Sequence, residues 1–76
     1  MQYFDGTPVK LLDVVSLAES LGRVVCLPGQ DQYAENYPKS DWRYLNRGVL
    51  IDFEEFGPIY YDEEPEEDIR FVRRQP

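Results

Sequence analysis

The stretch Gly48-Val49-Leu50-Ile51-Asp52-Phe53-Glu54-Glu55-Phe56-Gly57-Pro58-Ile59-Tyr60-Tyr61-Asp62 decides how the chain reads. Side chains of a strand alternate between its two faces. Val49, Ile51 and Phe53 therefore share one face, and Leu50, Asp52 and Glu54 the other, the pattern of a half-buried strand. Phe56-Gly57-Pro58 interrupts it, because glycine admits the positive φ of a tight turn and proline cannot donate to an inner ladder. Ile59 and Tyr61 then return to the apolar face, with Tyr60 and Asp62 outside. The hairpin exits into Glu63-Glu64-Pro65-Glu66-Glu67-Asp68, after which Ile69 and Phe71 are the inward positions of a last short strand and Arg70 and Val72 its outward ones.

Upstream, Tyr3-Phe4 followed by Asp5-Gly6-Thr7-Pro8 reads as a short edge strand and a turn. Residues 11–18 and 23–27 are rich in aliphatic and β-branched side chains, with a turn predicted over Glu19-Ser20-Leu21-Gly22. Residues 9–21 also admit an amphipathic helix, since Leu11, Val14, Val15, Ala18 and Leu21 recur at helical spacing. The adjacent Val14-Val15 pair favours the strand. Residues 30–46 are polar and lack a period, so they read as one long loop with a helical turn at 40–45 capped by Ser40 or Asp41. Tyr33, Tyr37, Trp42 and Tyr44 argue that this loop is ordered. The sum is a mainly β single domain over 1–76: a small, strongly bent antiparallel sheet or SH3-like partly open barrel of five to six short strands.

A chain of 76 residues has a small core. Aromatic side chains contribute most to it per residue, and Phe4, Trp42, Phe53, Phe56, Tyr61 and Phe71 are the expected contributors. Eight Lys and Arg against fifteen Asp and Glu give a net charge of −7. That balance repels nucleic acid and anionic membrane and favours a basic protein partner. The single cysteine, Cys26, has no internal disulfide partner and lies in an apolar run, the setting of a small core residue. No secretory leader or membrane-length apolar run is visible, so the expected location is cytoplasmic.

Catalytic chemistry finds little support. Histidine is absent, which removes the commonest general base and zinc ligand. No phosphate-cradling glycine loop occurs. Asp52, Glu54 and Glu55, or the 62–68 run, offer oxygen ligands for Ca²⁺ or Mg²⁺ or an acid–base pair for glycoside hydrolysis. The run lacks the glycine and ligand spacing of a calcium loop, and a sheet this small offers little cleft for a sugar. The expectation is a protein that is not an enzyme and needs no cofactor or metal.

Phe4-Asp5-Gly6-Thr7-Pro8-Val9, Asp13-Val14-Val15, Gly22-Arg23-Val24-Val25, Gly48-Val49-Leu50-Ile51, Tyr60-Tyr61 and Phe71-Val72-Arg73-Arg74 together resemble the layout of small SH3-like barrels. The same order is similar to small immunity proteins of bacterial polymorphic toxin systems, which bind and neutralise a cognate toxin. That resemblance implies an inhibitor acting by occlusion on a basic toxin or nuclease. The residues themselves supply a surface for such a role: Asp62, Glu63, Glu64, Glu66, Glu67 and Asp68 in a loop stiffened by Pro65, with Glu54 and Glu55 in the preceding turn. Tyr33, Tyr37, Trp42, Arg43, Tyr44, Tyr60 and Tyr61 are the candidate anchors, with Tyr37, Trp42, Tyr44 and Tyr60 foremost. The plain alternative is that the acidic run only keeps the domain soluble and its edges apart. Two other functional readings are an SH3-like adaptor, with Trp42, Tyr44 and Tyr60 forming a groove for an extended or proline-rich peptide, and a nucleic-acid mimic. Arg70 is the expected local partner of the acidic loop, and Arg73-Arg74 a solvated terminus.

Overall fold

Where apolar and polar side chains alternate, the chain is extended, and the computed structural model, which describes residues 1–74, contains six strands. In chain order these are β1 (Val14–Leu17), β2 (Ser20–Leu27), β3 (Gln32–Tyr33), β4 (Val49–Phe53), β5 (Gly57–Tyr61) and β6 (Arg70–Arg73). All of their pairings are antiparallel. They form one sheet in the order β5-β4-β2-β1-β6, with β3 beside the end of β2. The sheet does not close, so β5 and β6 are its two outer strands. One short helix, α1 (Lys39–Trp42), runs into a 3-10 turn over Arg43–Leu45. Among the described residues no helix is long and apolar enough to cross a membrane.

The β4–β5 hairpin forms in the register its alternation requires, with Val49 opposite Tyr61, Ile51 opposite Ile59 and Phe53 opposite Gly57. Pro58 sits on an outer strand, where its missing N–H removes no inner ladder bond. At the entry to β4, Gly48 has φ +82°, and a Cβ there would collide with the Tyr61 carbonyl oxygen. Only glycine fits that crossing.

Residues 9–21 take the strand alternative. Leu12 has φ 70°, which no right-handed helix allows. The β1–β2 turn is made by Ala18 and Glu19, both left-handed at φ 47° and 70°, and not by the expected 19–22 segment. Gly22 instead lies inside β2, opposite Phe53. A Cβ at Gly22 would stand 2.5 Å from the Phe53 ring, so the glycine is there to let that ring lie across the strand.

Beyond Gly22 the ladder slips. Val24 pairs with Ile51 and Cys26 with Leu50, leaving Val25 as the extra residue of a bulge. Two consecutive side chains, Val25 and Cys26, consequently face outward, and Leu27 returns inside. The sheet thus has two apolar faces. The inner one contains Tyr3, Val9, Val15, Val24, Leu27, Val49, Ile51, Phe53 and Ile69. The outer one, Val25, Cys26 and Leu50, is covered by Tyr33, Ala34, Tyr37, Trp42 and Tyr60. Residues 30–46 are therefore the cover of the outer face. Neither Ser40 nor Asp41 caps α1; Pro38 holds the N-cap position and no side chain bonds there.

Of the six aromatics expected in the core, Phe53 is buried, Tyr61 and Phe71 pack on the inner face and Trp42 on the outer one. Phe4 and Phe56 do not join them, being 72% and 49% exposed. Tyr3 holds the inner place instead, which turns its chain neighbour Phe4 to solvent.

Tyr3 has a polar reason to be inside. Asp13 is fully buried, and an unpaired carboxylate there would be costly. It accepts hydrogen bonds from the Tyr3 hydroxyl at 2.7 Å and the Lys10 N–H at 2.9 Å. Arg74 completes the set through Nε at 3.0 Å and Nη2 at 3.2 Å, one to each carboxylate oxygen. The same Nη2 donates to the Pro8 carbonyl at 2.6 Å, and the guanidinium lies 5.3 Å from the Phe71 ring centre. Arg74 is thus a structural clasp and not the solvated terminus the sequence suggested. Burial pushes the Asp13 carboxyl up, but the bonds from Arg74, Lys10 and Tyr3 outweigh it and hold the group below the usual carboxylate range.

Removing the clasp strands a buried charge. Arg74→Ala is expected to lower the urea midpoint, because the buried carboxylate loses two of its charge-assisted hydrogen bonds. Because the folded-state carboxyl is lowered, its stabilisation is complete above the unfolded value of about 3.9 and disappears as pH falls through the folded value. Asp13→Asn should therefore flatten the decline of the urea midpoint below about pH 4 relative to wild type, and an equally steep decline would contradict the assignment.

Candidate functional site

Six of the seven residues 62–68 are carboxylates, and the segment runs from β5, one outer strand of the sheet, to β6, the other. It therefore crosses the open side of the sheet. Pro65 is buried and Ile69 is 2% exposed as part of the inner core. The Ile69 N–H closes a turn on the Glu66 carbonyl at 3.0 Å. Glu64 accepts the Gln2 N–H at 2.6 Å, joining the loop to the N-terminal bend. The segment is consequently pinned along the molecule at three points. Pro65 acts as one of those pins and not, as expected, as the stiffener of a free projection.

With its apolar members turned in, the loop turns its charges out. Asp62 pairs with Arg47 at 3.4 Å, but the side chains are 64% and 70% exposed, a setting in which an ion pair contributes little. Among the described residues Glu63, Glu66, Glu67 and Asp68 form no ion pair, and neither does Arg70, the partner expected for them. Burial raises the Tyr61 hydroxyl pKa, and the nearby Asp68 and Glu66 charges raise it further. Tyr60, Tyr61, Asp62, Glu63, Glu64 and Glu66 together line a shallow depression of about 470 Å³. Tyr60 is fixed there by donating its hydroxyl to the Arg47 carbonyl at 2.6 Å. Two aromatic rings and four carboxylates in one concavity suit a cationic side chain.

The other candidates are dispersed. Glu54 and Glu55 sit in the turn before β5, at the opposite end of that five-residue strand from Asp62, about 16 Å away at the rise of an extended chain. Tyr37 and Trp42 stack at 5.9 Å on the outer apolar face. Tyr37 also donates its hydroxyl to Asp52 at 2.6 Å, and that bond, together with burial, pushes the phenol up to about 12. Tyr44 is 68% exposed and borders a different depression, beside Tyr33, Lys39 and Arg43. Trp42, Tyr44 and Tyr60 thus make no shared groove. Arg47, which pairs with Asp62 and accepts the Tyr60 hydroxyl bond, was not singled out, because nothing local in the sequence marks it.

Asp52, Glu54 and Glu55 do not assemble a cation site, and among the described residues no group of three or more acidic or cysteine side chains is placed to hold a metal ion. Burial pushes the Cys26 thiol up to about 11, which suppresses the thiolate a nucleophile needs. No family model, curated protein or solved structure matches the chain.

The Tyr37–Asp52 bond is testable by itself. In Asp52→Asn the Tyr37 phenol should titrate below about 12, followed through its ring resonances, because the largest cause of its rise is removed. An unchanged titration would show that burial alone sets it.

Proposed function

We propose that this protein is a non-enzymatic binding protein that captures a basic protein partner, and that it acts as an immunity-type inhibitor of a toxin or nuclease by covering the partner's cationic surface. The observation that carries the reading is the depression in which four carboxylates meet the rings of Tyr60 and Tyr61, on a chain of net charge −7. A nuclease grips phosphate with Lys and Arg, and those side chains find both charge and aromatic surface here. The pinned loop favours affinity, since little conformational freedom is left to lose on binding. Inhibition in this reading is stoichiometric: the complex occludes the partner and no bond is made or broken.

Association kinetics test it. With a basic nuclease domain as probe, the combined change of Glu63, Glu64, Glu66 and Glu67 to Gln should slow association about tenfold at low salt and flatten its salt dependence. A rate that stays the same, with the same salt slope, would contradict the electrostatic capture.

A further inference from the structure

The acidic loop has a second flank. Phe4, at 72% exposure, lies in the N-terminal bend that Tyr3 anchors. The bend is fixed by Gly6 at φ +93° and by Asp5, whose Oδ1 accepts the Thr7 N–H at 2.9 Å. Phe4 borders a depression of about 430 Å³ with Tyr3, Ile69 and Phe71, and the exposed residues beside them are Asp5, Glu67 and Arg70. The hydrogen bonds from Thr7 lower the Asp5 carboxyl, so it is ionised at neutral pH.

We propose that this groove takes the guanidinium of an arginine side chain presented by the basic partner. The proposal rests on the basic-partner reading and deepens it, adding an anchor at the other end of the loop from the Tyr60–Tyr61 depression. An apolar occupant would cover Asp5 and Glu67 without satisfying them, which is costly. A guanidinium stacks on aromatic rings while its edge donates to carboxylates, so one group satisfies both parts of the lining. The ammonium of lysine lacks the flat face. The protein already makes the same contact internally, where Arg74 lies over Phe71 with its donors on Asp13. Arg70 is the opposing charge in the lining and sets a limit on affinity, so its removal should help.

The experiment is an NMR titration of the isotope-labelled full chain with a capped oligoarginine peptide and with an oligolysine of equal length. Oligoarginine should shift the amides of Phe4, Asp5, Glu67 and Arg70 and saturate earlier than oligolysine. Phe4→Ala, an exposed truncation that leaves the inner core intact, should weaken oligoarginine binding by about two- to fivefold, the scale of an exposed cation–π contact, and leave oligolysine unchanged. Arg70→Ala should strengthen it. Shifts confined to 62–66, with Phe4→Ala behaving as wild type, would overturn the groove while leaving the basic-partner reading intact. Equal losses for both peptides would overturn the guanidinium assignment. Absence of binding by either peptide would overturn the groove and the basic-partner reading together.

Discussion

One buried carboxylate holds the ends of this chain to its middle. Asp13 lies at the entrance to β1, yet the four hydrogen bonds it accepts come from three residues, in the N-terminal bend, the turn before β1 and the position after β6. The β1–β6 ladder holds the last strand to the sheet but does not reach the N-terminal bend that precedes β1. The Asp13–Arg74 pair supplies the missing tie, and the bond from Arg74 to the Pro8 carbonyl extends it to the N-terminal bend. The acidic loop depends on the same fastening: it leaves β5 free of the clasp, then enters β6, which Arg74 follows directly. Its charges are presented from a segment held at both ends.

A second constraint shapes the surface. The bulge at Val25 turns two neighbouring apolar side chains outward, so the sheet must be covered on both faces. Residues 30–46 provide most of the cover, and Tyr37 and Trp42 are consumed by it. Aromatic side chains that look like a binding supply are here largely needed for packing, which leaves Tyr60 and Tyr61 at the acidic depression and Phe4 beside Asp5 and Glu67 as the rings next to the carboxylates.

Much of this was legible in the sequence. Strict alternation through β4 and β5 specifies both faces of the hairpin, and the proline on β5 marks an outer strand. The same logic misplaces the β1–β2 turn, because Gly22 looks like turn chemistry when its role is to clear space for Phe53, a residue thirty-one positions away. The bulge has no local signature, so the outer core and the purpose of residues 30–46 could not be read. Phe4 and Tyr3 are interchangeable by composition, and only the hydroxyl bond to Asp13 decides which of them turns inward. A charged residue within Leu11-Leu12-Asp13-Val14-Val15 was visible, but its partner Arg74 lies at the far end of the chain, and no local pattern pairs the two. The acidic loop was legible as charge and the inward turn of Ile69 as alternation, whereas the burial of Pro65 and the Gln2–Glu64 bond were not.

Native-state hydrogen exchange on Arg74→Ala addresses the clasp most directly. If Asp13 and Arg74 fasten the N-terminal bend to the end of β6, protection should fall at Val9, Lys10 and Ile69, whose N–H groups bond Met1, Asp13 and Glu66, while the β4–β5 hairpin amides fall less. Unchanged protection at those three amides would contradict the clasp as the constraint on which the loop and both chain ends depend.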